Sequence, residues 1–144
     1  YTDFNVSKEL DNKWGIEASL ELAKDVPLVL DIHHHWVNSG EYIEPSDDRC
    51  SRIIDSWRGV RPAMHYSYSR NEHLPQDFAH DTMPNMEQLL EAGHKKQKLR
   101  AHSDYYPNKL VNDWALSFLE HADIMCESKC KNLASIELYE QYKA

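Results

Sequence analysis

Asp31, His34, His65, His102 and Glu127 are the side chains of this sequence best suited to chemistry, because each closes or directly follows a short apolar run. Asp31 and His34 lie in Leu28-Val29-Leu30-Asp31-Ile32-His33-His34-His35, and His65 lies in Arg61-Pro62-Ala63-Met64-His65-Tyr66-Ser67. His102 opens His102-Ser103-Asp104-Tyr105, and Glu127 ends Asp123-Ile124-Met125-Cys126-Glu127. Carboxylates and imidazoles at the ends of successive buried strands are how a (β/α) barrel builds a metal site. Divalent ions such as Mn²⁺ and Zn²⁺ accept mixed oxygen and nitrogen ligation, so the pattern points to a polynuclear metal centre.

Each residue also has a plainer reading. Asp31 and His34, three apart where a strand gives way to loop, could feed one ion or two neighbours, or belong to a polar loop. His33 and His35 turn away if strand alternation continues, which makes them supporting or packing positions. His65 alone reads as a structural histidine. An ionised Glu127 at the inner end of an apolar strand is costly unless paired or metal-bound, and Lys129 is its competing partner. His102 and Asp104 could be a hydrogen-bonded surface pair, and His73, His80, His94 and His121 read as surface histidines.

The elements around these residues follow from period and punctuation. Residues 7–23 carry Leu10, Trp14, Leu20 and Ala23 at helical spacing. Residues 28–30 are too short for a helix and suit a strand buried on both faces. Residues 46–57 read as a helix capped by Ser46, Asp47 and Asp48, with Cys50, Ile53, Ile54 and Trp57 inward and Gly59 as its stop. A strand over 60–65 follows. Residues 68–100 are irregular, with one short helix over 85–92. Residues 108–121 form an amphipathic helix with Leu110, Val111, Trp114, Phe118 and Leu119 on one side. A strand over 123–127 and a helix over 133–142 complete the order. Alternation of this kind implies parallel strands with crossovers, either as a small open sheet or as the second half of a larger barrel.

The 144 residues suffice for one compact domain, and 41% hydrophobic with 28% charged content is ordinary for a soluble globular protein. No apolar run approaches the roughly 18 residues that span a bilayer. Cys50, Cys126 and Cys130, odd in number, read as reduced thiols of a cytoplasmic protein. A net charge of -8 argues against a nucleic-acid binder on its own, although bound divalent cations would change the local sum. The sequence lacks a glycine-rich phosphate loop, a Cys-x-x-Cys pair and a serine nucleophile elbow.

Taken together and in order, the motifs at 28–35, 61–67 with Arg70, 102–105 and 123–129 resemble the UV damage endonuclease family. The resemblance covers most of residues 26–131. It implies an α/β fold of the (β/α) TIM-barrel type, with residues 1–144 forming the C-terminal half of a single (β/α)8 barrel. It also implies a DNA repair enzyme that nicks damaged double-stranded DNA 5′ to UV photoproducts and at some abasic sites. Its cofactor would be a cluster of divalent ions, manganese first, with zinc or magnesium as alternatives. By the same resemblance, Asp31, His65 and Glu127 share one metal as catalytic ligands, while His34 and His102 hold another. The remaining ligands, two histidines and a bridging glutamate, are expected upstream of Tyr1 in an N-terminal barrel half, on the same polypeptide or in trans.

Asn38, Arg70 and Lys129 are candidate phosphate contacts, and the implied setting is intracellular (nucleoid-associated in a bacterium), with no membrane partner. Two departures stand out: Ala63 occupies a position where the family usually carries lysine, and residues 71–100 are longer than the family's usual connection. The first leads us to expect weaker activity. The rival readings are a sugar isomerase or epimerase of the xylose-isomerase-like superfamily, and an inactive pseudoenzyme fragment.

Overall fold

The computed structural model describes residues 8–10, 20–70, 74 and 82–143. Among the described residues, four short strands carry the centre of the fold: β1 (Lys8–Leu10), β2 (Leu28–Leu30), β3 (Ala63–Tyr66) and β4 (Asp123–Cys126). β1 pairs in parallel with β2, and β3 pairs in parallel with β4, with Ala63 opposite Asp123 and His65 opposite Met125. A single parallel bridge between Asp31 and His65 links the two pairs. The fold is therefore mixed α/β around a small parallel sheet, and strand order in space follows strand order in sequence.

Helices supply the crossovers that parallel strands require. Between β2 and β3 lie α1 (Ile32–Ser39) and α2 (Asp48–Asp55). Between β3 and β4 lie α3 (Met86–Glu91), α4 (Lys96–Leu99) and α5 (Lys109–Leu116), the last running into a 3₁₀ turn over Ser117–Glu120. The helix α6 (Asn132–Lys143) follows β4. No helix among the described residues is long and apolar enough to cross a membrane.

β2 is buried along its whole length, as a run of three aliphatic residues requires. The end of the α2 segment satisfies its first peptide: the Ser56 hydroxyl oxygen accepts from the Leu28 N–H, and the Trp57 indole N–H donates to the Leu28 carbonyl. Leu28, Leu30, Ile32, Trp36, Ile53, Met64, Tyr66, Leu99, Trp114 and Phe118 form one continuous core. Caps fix where the helices begin. The side chains of Asp47, Asn85 and Asn108 accept from backbone N–H groups in the first turns of α2, α3 and α5. Gly40 ends α1 in the left-handed region, φ 79°, with its N–H on the Trp36 carbonyl. A Cβ there would also meet Met86 at 3.1 Å.

Several expectations need correction. Residues 8–10 are strand rather than helix, because pairing with the apolar β2 outweighs the helical spacing of a partly charged segment. Leu20–Leu22 is only a 3₁₀ turn, and residues 11–19 lie outside the described residues. The His33–His35 tract is not strand running into loop but the first turn of α1. Leu110 is exposed, because α5 turns Asn112 inward instead. The Asn112 amide meets the Tyr66 hydroxyl and the Tyr106 carbonyl, which satisfies a buried polar group on that face. The α4 helix, with lysine-rich sequence and one buried leucine, was not expected.

Candidate metal centre

Asp31 is the hinge of the site because it ends β2 and caps α1 at once. Its side chain is fully buried, and Oδ1 accepts from the His34 N–H at 2.8 Å. That bond fixes the carboxylate, and it orients Oδ2 to within 3.2 Å of His34 Nδ1 and 3.9 Å of His65 Nδ1. His65 lies opposite Asp31 on the neighbouring strand, with Nδ1 also 3.0 Å from Glu127 Oε1. Glu127 is held by its own N–H, which extends the β3–β4 ladder by donating to the Tyr66 carbonyl. Three adjacent strand ends thus deliver one acid, one imidazole and a second acid to the same point.

One donor atom each from Asp31, His65 and Glu127 lies within 4.8 Å of the others. Donors about 2 Å from a common ion are at most about 4 Å apart, so the cluster needs less than about 1 Å of contraction to ligate one. The donor chemistry, two carboxylates and an imidazole, suits a divalent cation. His34 and His102 flank the cluster, their rings 6.3 Å apart and tilted at 31°. His102 is positioned by an antiparallel bridge to Ser69.

The three proposed phosphate contacts are less closely gathered. Arg70 Nη1 lies 3.4 Å from the His102 carbonyl and 3.7 Å from Asp104 Oδ1, at the rim of the cluster. Asn38 sits one helical turn beyond His34, and its carbonyl accepts from Lys96 Nζ at 2.8 Å. Lys129 is exposed, with its N–H on the Ser103 carbonyl. Of the other histidines, His94 is partly buried, His121 is exposed, and His73 and His80 lie outside the described residues.

His33, expected only to support or pack, supports the site from behind. It is buried, with Nδ1 2.9 Å from Ser67 Oγ and Nε2 3.0 Å from Ser69 Oγ. The Ser69 hydroxyl donates to the Leu99 carbonyl, so it accepts from Nε2–H, leaving Nδ1 to accept from Ser67. Burial, with His34 and His102 alongside, pushes the imidazole from its usual 6.5 down to about 3, so the ring is neutral. Trp36 stacks on it at 6.0 Å. Ser67 and Ser69, two residues apart just beyond β3, were the sequence signal for this clamp. His35 faces elsewhere, with Nε2 2.7 Å from Glu41 Oε1, which in turn is bound by Arg49.

Comparison with known proteins assigns the chain to a family. The model of the UV-endonuclease UvdE family matches residues 6–144. The chain belongs to that family. Among curated UvdE-type relatives, the UV DNA damage endonuclease of Bacillus cereus strain B4264 is 26% identical over 126 residues, covering 84% of this chain and 32% of the relative. The UV DNA damage endonuclease of Bacillus anthracis strain A0248 is 25% identical over 121 residues, covering 81% of this chain and 30% of the relative. The chain spans about a third of the length of the curated relatives it matches. No solved structure matches.

Proposed function

We propose that this chain is the metal-ligating C-terminal portion of a divalent-metal-dependent DNA repair endonuclease. Its activity would be hydrolysis of the phosphodiester 5′ to UV photoproducts, with abasic sites as further substrates. The observation that carries this reading is the convergence of Asp31, His65 and Glu127 from three neighbouring strand ends. Family membership supplies the DNA-repair context.

In this reading Asp31, His65 and Glu127 hold one divalent ion, manganese being the first choice, and His34 and His102 hold a second. Bound ions of this kind supply charge for the scissile phosphate and lower the pKa of an attacking water. The residues of the chain do the positioning. The His34 N–H fixes the Asp31 carboxylate, and the Tyr66 carbonyl fixes the Glu127 backbone. Arg70, beside His102, is placed to meet a phosphate oxygen, with Asn38 and Lys129 as outer contacts. The four parallel strands are then part of a (β/α)8 barrel completed by an N-terminal half, and the ligands gather at its C-terminal strand ends. Damaged duplex DNA is the partner, and a distorted or flipped site lowers the cost of engaging the lesion. The setting is intracellular, where such DNA is found.

The test uses the full polypeptide, including whatever sequence flanks these residues, on UV-irradiated supercoiled plasmid. Nicking that requires manganese, stops with chelator and is absent on unirradiated plasmid supports the reading. Ala63→Lys should raise the rate, because it restores the residue usual in the family at a position two residues before His65 on the same face of β3. Absence of nicking in both forms would favour an inactive fold, and turnover of a sugar instead would favour the isomerase.

A further inference from the structure

Between Ala92 and Ser103 the sequence has no acidic residue and four basic ones, Lys95, Lys96, Lys98 and Arg100. A quarter of the chain's 16 Lys and Arg therefore fall within six consecutive positions of a protein with net charge -8. A lysine-rich surface turn is usually just solvated. Here the turn is fastened to the candidate metal centre at three points. The buried Leu99 anchors it, and the Leu99 carbonyl accepts from the Ser69 hydroxyl at 2.6 Å, the serine that contacts His33. The Ala101 carbonyl accepts from the Arg70 N–H at 3.2 Å, immediately before His102. Lys96 Nζ donates to the Asn38 carbonyl, one turn along α1 from His34.

Lys96 is thus a strut between α4 and α1, while Lys95, Lys98 and Arg100 are exposed. Lys95 is the extended residue that precedes α4 and Lys98 lies within it, three positions on. Glu91 and Asp104 bracket the run, and Asp104 already lies beside Arg70. The positive stretch therefore begins where the site ends and leads away from it along the α4 side.

We propose that the 95–100 segment is a docking rail for the phosphodiester backbone of duplex DNA flanking the metal centre. This rests on the endonuclease reading and adds to it the surface that seats the substrate strand in an acidic protein. Contacts of this kind are electrostatic and independent of sequence, so they set affinity and register rather than lesion choice.

The test measures binding of the full polypeptide to a defined 30-base-pair duplex, intact or carrying one photoproduct, in chelator so that no cleavage occurs. Wild type is compared with a Lys95→Glu/Lys98→Glu variant and a milder Lys95→Gln/Lys98→Gln variant across a salt series. Thermal melting checks that the folds match. Each phosphate contact adds about 0.9 to the slope of log affinity against log salt. The rail predicts a slope shallower by about 2 in the glutamate variant. It also predicts affinity at low salt weaker by about tenfold or more on intact and damaged duplex alike, with the glutamine variant in between. Wild-type binding with an unchanged slope in both variants would overturn the rail and leave the endonuclease reading standing. Should the wild type fail to bind in chelator, the series is repeated with manganese present, and failure there too would overturn both.

Discussion

Asp31 and His65 are cross-strand partners: they form the parallel bridge that joins the two strand pairs, and their Oδ2 and Nδ1 atoms lie 3.9 Å apart. The same two residues thus register the sheet and begin the Asp31, His65 and Glu127 cluster. A consequence is that sheet assembly and the placement of the candidate site's side chains are coupled at one position, while the cap on α1 is a separable third role.

Substitution at Asp31 separates those roles. Asn is as good a helix cap as Asp, so Asp31→Asn should keep stability within about 0.5 kcal/mol while lowering divalent-metal affinity at least tenfold. Asp31→Ala should lose metal affinity and also about 1 kcal/mol or more from the missing cap. Denaturant unfolding with a parallel manganese titration reads both quantities. Wild-type metal affinity in Asp31→Asn would remove this carboxylate from the ligand set.

The His33 clamp should show itself as stability. His33→Phe keeps a ring against Trp36 but leaves the buried Ser67 and Ser69 hydroxyls without their imidazole partner. A cost of about 2–3 kcal/mol is expected, with a smaller one for His33→Gln, which can still donate toward Ser69. Equal midpoints for all three proteins would show that the two serine contacts contribute nothing.

Burial pushes the Cys50 thiol up to about 12, and its side chain packs in the core. Thiolate is the reactive form, so Cys50 should resist iodoacetamide at pH 8 in the native protein and react only on unfolding. Cys130, which is partly exposed, should be alkylated first. Mass spectrometry of labelled peptides decides; rapid native labelling of Cys50 would mean that the α2 region opens far more readily than its packing implies.

Much of the site was legible because strand ends are marked by abrupt changes in chemistry. Leu28-Val29-Leu30 followed by Asp31, and Ile124-Met125-Cys126 followed by Glu127, place an acid where an apolar run stops, and the structure puts the two at the ends of β2 and β4, either side of His65 on β3. The helix α1 was missed because histidines and Asn38 carry weak helical preference. Its boundaries were nonetheless written in Asp31 and Gly40, a cap at one end and a left-handed residue at the other. Strand β1 could not be read locally, since Lys8-Glu9-Leu10 becomes strand by pairing with β2. The fastening of the 95–100 turn is likewise a tertiary fact. It depends on Ser69, Arg70 and Asn38, which are distant in sequence.

The central claim is that Asp31, His65 and Glu127 ligate a divalent ion, and metal content tests it most directly. Elemental analysis of the full polypeptide after manganese loading and desalting should be run beside Glu127→Ala and His65→Ala, with circular dichroism confirming that both variants fold. Both substitutions remove a part-buried ligand at the cluster rather than core volume, so the fold should persist while bound manganese falls by at least one ion per chain. Unchanged manganese stoichiometry in both folded variants would contradict the account.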